Sequence, residues 1–318
     1  MDPQAPPSDV PDSYEPPTLD PTPADPSTFP DPEGAAAMKA MSDKVQSMYD
    51  SGVPLFTKDA LRHAANQLAL YRARPRDDRQ VTLIDMTGKS VEYTICLPFS
   101  DHSWERRKRS GPLPPLGCVG DLQQIFEDAR AEWDSSTQHD ELQQILAALK
   151  LPFGLSKVIA FALGSMGGDF RASRQSSIQH ALLLSLRRGL SNSTQTPELE
   201  CFSQEPGYSD QDKQVLQASG VKILEDPVGF LEVDETSVIL SIAPNVPVKQ
   251  IITDLGRPAI MIWCKPPESD DRPMTDPESS RVREMLKNEY SKTDFPRHEA
   301  YPPLSLYVRK AVIGRVSE

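Results

Sequence analysis

A run of small residues, Gly164-Ser165-Met166-Gly167-Gly168, directly follows an apolar, β-prone stretch, Val158 to Leu163. Apolar side chains at both odd and even positions of that stretch leave no face for water. This predicts a strand buried on both faces, the kind that parallel sheets contain. The glycines let the backbone come close to whatever sits at the strand's carboxyl end, which makes Gly164, Ser165 and Gly167 candidate ligand-binding positions. A helix-patterned stretch from about Ser173 to Arg188 is expected to follow, after a loop through Asp169, Phe170 and Arg171. Strand, glycine turn and helix open a nucleotide-binding α/β unit, although G-S-M-G-G departs from the G-x-G-x-x-G fingerprint. The alternative is that Gly164 and Gly167 only permit a tight strand-to-helix turn.

Ligands of open parallel sheets lie beyond the carboxyl ends of the strands, where the strand order reverses. That rule gathers Glu205 after a second strand, Glu225-Asp226 after a third and Ala243 to Val246 after a fourth around one crevice. An acid at the end of the second strand is placed to accept hydrogen bonds from a ribose, so Glu205 is the candidate there; its alternative is a solvated loop acid. Asp226 is a candidate acceptor for a base amine, with capping of the turn before Pro227 as its alternative. Asn245 can bind a ligand through its amide.

Other chemistries find less support. Ser165 stands one position too early for G-x-S-x-G, with no Asp and His in a matching context. His180 lies within an apolar helix pattern and reads as a core or boundary histidine before a general base. Asp270-Asp271 sits in a Pro-rich link where a solvated loop is the default. Cys96, Cys118, Cys201 and Cys264 are widely separated, with no C-x-x-C and no histidine at ligand spacing, so no metal site is expected and buried thiols in a reducing compartment are.

Charge narrows the partners. Of the net −12, −8 comes from residues 1–37, which hold eight acids and no Lys or Arg. The remaining surface is near neutral and lacks the basic footprint of a general nucleic-acid binder. The run Arg106-Arg107-Lys108-Arg109 is a nuclear-localisation or anion-patch candidate, with a solvated loop as its alternative. Eleven prolines among the first 33 residues, with little apolar to bury, predict a disordered tail that is neither a secretory signal nor a transit peptide. No stretch has the roughly 20 apolar residues of a membrane span, so a cytoplasmic or nuclear protein is expected.

The elements that must position the candidates follow from periodicity. Helices are expected over Ala35 to Tyr49 and Thr57 to Arg74, then a hairpin from Val81 to Met86 and Val91 to Leu97 about Thr87-Gly88-Lys89-Ser90. Two amphipathic helices, Asp121 to Trp133 and His139 to Leu149, precede the regular part. There, strands at 158–163, 199–202, 221–224, 238–242 and 259–263 alternate with helices at 210–218 and 248–254. A helix near 277–290 and a last strand near 304–308 complete the chain. Alternation implies right-handed crossovers, hence a Rossmann-like three-layer α/β domain with a mainly parallel sheet. The expected divisions are a disordered tail over 1–36, a helical and β-hairpin accessory region over 37–150, and the Rossmann-like domain with a C-terminal extension over 151–318.

Within residues 155–264 the chain resembles the sensitivity-to-red-light-reduced (SRR-like) domain family. The matching residues are Leu163-Gly164-Ser165, Gln179 followed by Ala181-Leu182-Leu183-Leu184, Glu205-Pro206, Leu216, Gly220-Val221, Leu224-Glu225-Asp226 and the strand ending at Pro244. Where the family has a Pro-His pair after the fourth strand, this chain has Pro244-Asn245, so proton transfer by that histidine does not carry over. The resemblance implies a regulatory role and no settled reaction; with the catalytic positions of the nucleotide-type sheet incomplete, the expectation is a regulatory protein that acts by binding a protein partner or a small nucleoside-type ligand, with no turnover of its own. The alternative is a divergent S-adenosylmethionine-dependent methyltransferase, with S-adenosylmethionine or another nucleotide as cofactor. In methyltransferase-like folds the acid matching Asp226 contacts the adenine amine.

Overall fold

The computed structural model of the chain describes residues 32–73, 80–84, 88–94, 119–152, 154–168, 170–194, 199–266 and 275–311. Contacts divide the chain into a unit ending at Gly52 and a second from Val53 onward. The first contains helix α1, Pro32–Asp50, which ends where Gly52 turns into a left-handed conformation at φ 92°. Its first turn lies inside the 1–36 segment expected to be disordered. Pro32 is suited to a helix's first position, where its missing N–H is not needed. Residues 1–31, the basic run at 106–109, Cys96 and Cys118 lie outside the described residues.

The second unit begins with α2, Lys58–Ala73, whose start is fixed by the Thr57 hydroxyl accepting the Ala60 N–H. It is followed by the expected hairpin, β1 (Gln80–Ile84) antiparallel to β2 (Ser90–Thr94), a separate two-stranded sheet. Gln67 of α2 grips the backbone of β1 on both sides of one residue, accepting from Thr82 N at 2.9 Å and donating to Thr82 O at 2.6 Å. Helices α3 (Val119–Asp134) and α4 (Thr137–Ala148) come next, the latter capped by Ser136 accepting from His139 N.

The main sheet has seven strands. With their connecting helices they are β3 (Lys157–Phe161), α5 (Phe170–Thr194), β4 (Glu200–Gln204), α6 (Asp210–Ala218), β5 (Lys222–Ile223), α7 (Val228–Leu231) and β6 (Ser237–Ser241). Then come α8 (Val248–Leu255), β7 (Ile260–Cys264), α9 (Ser280–Glu289), β8 (Tyr290–Asp294) and β9 (Leu304–Arg309). The order is β5-β4-β3-β6-β7-β9-β8, with β9 antiparallel to both its neighbours and the first five strands parallel. Side chains alternate between two cores. Val158 and Ala160 of β3 pack with α3 to α6, while Ile159 and Phe161 pack with α7 to α9. The expected three-layer, Rossmann-like α/β fold with a mainly parallel sheet is therefore what the chain adopts.

Two sequence expectations change here. β3 stops at Phe161 rather than Leu163, because Ala162 turns left-handed at φ 60° and leaves the ladder. α5 begins at Phe170, so the loop expected through Phe170 and Arg171 is already helix, and it continues past Arg188 to Thr194. Gly189, which reads as a stop signal, lies inside that helix for a packing reason: a Cβ there would come within 2.6 Å of Gln143 Oε1 and 2.8 Å of Leu146 on α4. The strand β8 and the single-turn helix α7 had no signal. β8 reads Tyr-Ser-Lys-Thr-Asp, a polar edge strand with mostly exposed side chains.

Candidate functional site

β3 and β6 are neighbours, and their onward connections run toward opposite edges of the sheet, so the strand order reverses between them. Both leave the ladder through left-handed backbone. After β3 these are Ala162 and Gly164, at φ 60° and 72°; after β6 it is Ala243, at φ 47°. A Cβ on Gly164 would stand 2.6 Å from Ser176 Oγ on α5, so the turn and the helix approach as closely as only glycine permits.

The turn is held by two carboxylates. Glu205, half-buried after β4, accepts the Gly164 N–H at 3.2 Å through Oε2 and the Gly207 N–H at 2.8 Å through Oε1. Asp212, fully buried on α6, accepts the Met166 N–H at 2.8 Å and the Ser165 hydroxyl at 2.7 Å. Its other partners are the Ser209 N–H and hydroxyl, and Ser209 accepts back from Asp212 N, so one capping box both starts α6 and pins the glycine turn. Ser165 Oγ in turn accepts the Gly167 N–H at 3.1 Å. The Ser209-x-x-Asp212 spacing is a cap signal in the sequence; that the cap's carboxylate also reaches the turn is a tertiary contact with no sequence signal.

Asp226 follows β5 and precedes the cis peptide to Pro227. It accepts from Gln204 Nε2 at 2.8 Å, and Gln204 Oε1 accepts the Gly229 N–H, which ties the ends of β4 and β5 to α7. Among the described residues no donor reaches its second oxygen. Burial raises its pKa, and Arg72 of α2 partly offsets the rise. Arg72 also pairs with Glu225 at 3.4 Å, opposite Lys213 at 3.2 Å. The accessory helix α2 thus contributes a cation to this rim, a role invisible in sequence because it depends on how α2 docks. That docking uses Lys58 Nζ donating to Val233 O, and Leu55 and Phe56 amides donating to Asp254.

Asn245 lies on the opposite side of the crevice, exposed, between β6 and α8. Its loop is fastened by the Ala243 N–H donating to Cys264 Sγ and by Thr275 donating to Pro244 O. Beneath it, buried Lys249 donates to Cys264 O at 2.9 Å, and its own N–H bonds Asp276, whose pKa burial pushes up to about 6. The structure thus places Gly164, Ser165, Gly167, Glu205 and Asp226 on the β3–β5 side of the rim and Asn245 on the β6 side.

His180 is buried below the turn, with Nδ1 2.6 Å from Ser176 O and Nε2 2.6 Å from the Tyr208 hydroxyl, which also meets Ser203 Oγ at 2.7 Å. Burial lowers its pKa to about 4 and raises that of Tyr208 well above the usual phenol value. Cys201 and Cys264 are buried and outside any disulfide. Among the described residues no cluster of metal-ligand type occurs, and no helix is long and apolar enough to cross a membrane. A cavity of about 380 Å³ lined by Arg130, Asp134, Leu184 and Arg188 opens at the other end of the parallel strands, toward the C-terminus of α5. Pocket size therefore does not select the crevice; chain reversal and polar groups do.

A family model described as the SRR1 domain matches residues 139–308, from the first turn of α4 to the end of β9. It covers just over half of the chain and includes every candidate ligand residue of the crevice, though not Arg72 of α2. No curated protein matches the chain.

Proposed function

The chain belongs to the SRR1 domain family, and from that premise we propose that it is a regulatory binding protein whose crevice seats a nucleoside-type ligand without turning it over. The observation that carries this reading is Asp226: a half-buried carboxylate at the end of β5 with one oxygen anchored by Gln204 and no described donor on the other. An acceptor with spare capacity in a half-buried setting gains from a ligand donor such as an exocyclic amine. Glu205, with both oxygens already holding backbone amides, keeps one lone pair on each for a ribose diol, and exposed Asn245 on the β6 side is available as an adaptable donor and acceptor. The absence of turnover in this reading rests on His180 and Asp212. Both are buried with their polar atoms engaged, and neither is placed to exchange a proton with a ligand at the rim.

A thermal-shift screen of the full chain with adenosine, S-adenosylmethionine and S-adenosylhomocysteine tests the proposal. A ligand at one hundred times its Kd adds about 2.7 kcal/mol and raises Tm by several degrees. Stabilisation by at least one of these, with the ligand recovered unchanged, is expected. No shift from any of them would overturn the reading.

A second reading, the divergent S-adenosylmethionine-dependent methyltransferase, is motivated by the glycine turn after β3 together with Glu205 after β4 and Asp226 after β5, all at the carboxyl ends of parallel strands. Its test is transfer of a labelled methyl group from S-adenosylmethionine to any acceptor in a lysate; calorimetry without S-adenosylmethionine binding would remove it.

A further inference from the structure

Resting on the nucleoside reading of this crevice, we infer that its ligand carries no phosphate at the glycine turn: the site takes neutral or cationic nucleoside-type molecules and refuses nucleotides. Glycine turns before helices bind phosphate because their backbone N–H groups lack partners and point at the anion. Here three of those donors are taken. The Gly164 N–H goes to Glu205, the Met166 N–H to Asp212 and the Gly167 N–H to Ser165 Oγ, at 3.2, 2.8 and 3.1 Å. Two of the three acceptors are carboxylates, so the place an anion would neutralise is occupied by the protein's own negative groups.

The surroundings point the same way. Asp226 and Glu225 add further acid at the rim, and two cations there, Arg72 and Lys213, are paired with Glu225. Arg171, in the first turn of α5, lies close enough to Glu299 to help lower its pKa, after the larger effect of Arg174. What the rim still offers is acceptors: the second oxygen of Asp226 and the spare lone pairs of Glu205. These suit a ribose diol, an amine or a cationic centre, and they repel a phosphate.

The test pairs two measurements on the full chain. Titration with pyrophosphate, followed by ¹H–¹⁵N spectra, should leave the amides of Gly164, Met166 and Gly167 unmoved, and adenosine should bind at least about tenfold more tightly than adenosine monophosphate. Glu205→Gln, nearly isosteric, should narrow that ratio severalfold by removing one of the repelling charges. Saturable pyrophosphate shifts at these amides, or monophosphate binding as tight as adenosine, would overturn the exclusion and leave the ligand reading standing. Silence from both adenosine and S-adenosylmethionine would instead overturn the ligand reading and this assignment together.

Discussion

The two lips of the crevice are built by opposite means. On the β3–β5 lip, backbone amides are tied down by side-chain carboxylates reaching across from neighbouring elements, Glu205 from the end of β4 and Asp212 from α6. On the β6 lip, the loop is tied from beneath by Cys264, Thr275 and Lys249, and the side chain of Asn245 faces solvent. Both lips turn through left-handed backbone, at Gly164 and at Ala243. Only the first lip is also packed against a helix, so closely that a Cβ does not fit. A saturated, packed lip is a rigid seat, and an exposed one is where contacts can adapt.

The sharpest way to break this contrast is Gly164→Val. A β-branched residue held at φ 72° and driven into Ser176 Oγ should cost about 3 to 5 kcal/mol, from left-handed strain and overpacking together. Urea denaturation measures it; a loss below about 1 kcal/mol would show that the first lip yields.

Acid separates the lips next. His180 beneath the first lip has a folded pKa of about 4 against 6.5 unfolded, so the unfolded chain binds the extra proton and stability is lost as pH falls through that window. Asp276 beneath the second lip is raised from 3.8 to about 6, so here the folded chain holds the proton and stability falls as pH rises through that window. Each contribution is about 3 kcal/mol and they nearly cancel. The urea midpoint of the parent should therefore owe little net slope to these two groups. His180→Gln should tilt it toward greater stability in acid, and Asp276→Asn toward greater stability near neutrality. The same slope in both variants would mean that the lips do not differ in this way.

Binding distinguishes them more gently. Glu205→Gln, whose single amide oxygen can hold only one of the two backbone N–H groups, should lower Tm by a few degrees and weaken adenosine by about ten- to hundredfold, the worth of a charge-assisted hydrogen bond of roughly 1.5 to 3 kcal/mol. An unchanged affinity by calorimetry would take Glu205 out of the ligand site. Asn245→Ala, at an exposed position, should leave Tm unchanged and reduce affinity only severalfold. A larger loss than from Glu205→Gln would reverse the roles of the two lips.

Local pattern was legible where burial dictates it. The doubly apolar run at 158–161 announced a central parallel strand, and the helices over 210–218 and near 248–255 have the ends their caps and periodicity suggest. It was not legible where one element exists for the sake of another. Gly189 stays helical because α4 leans on it, and β8 is a strand only because β9 offers it an edge.

For the candidate site the division is the same. Gly164, Glu205, Asp226 and Asn245 could be placed at strand ends from the sequence, because the α/β alternation and the crevice rule require only element order. The sequence by itself thus determined the fold class, the family and which loops meet at the rim. Only tertiary structure decided that three of the turn's amides are already filled, that Asp212 fills one of them across 46 residues, and that α2 brings Arg72 to the acids. Hydrogen-bond partners and charge neighbours are set by distance in space, and a sequence records the distance along the chain alone.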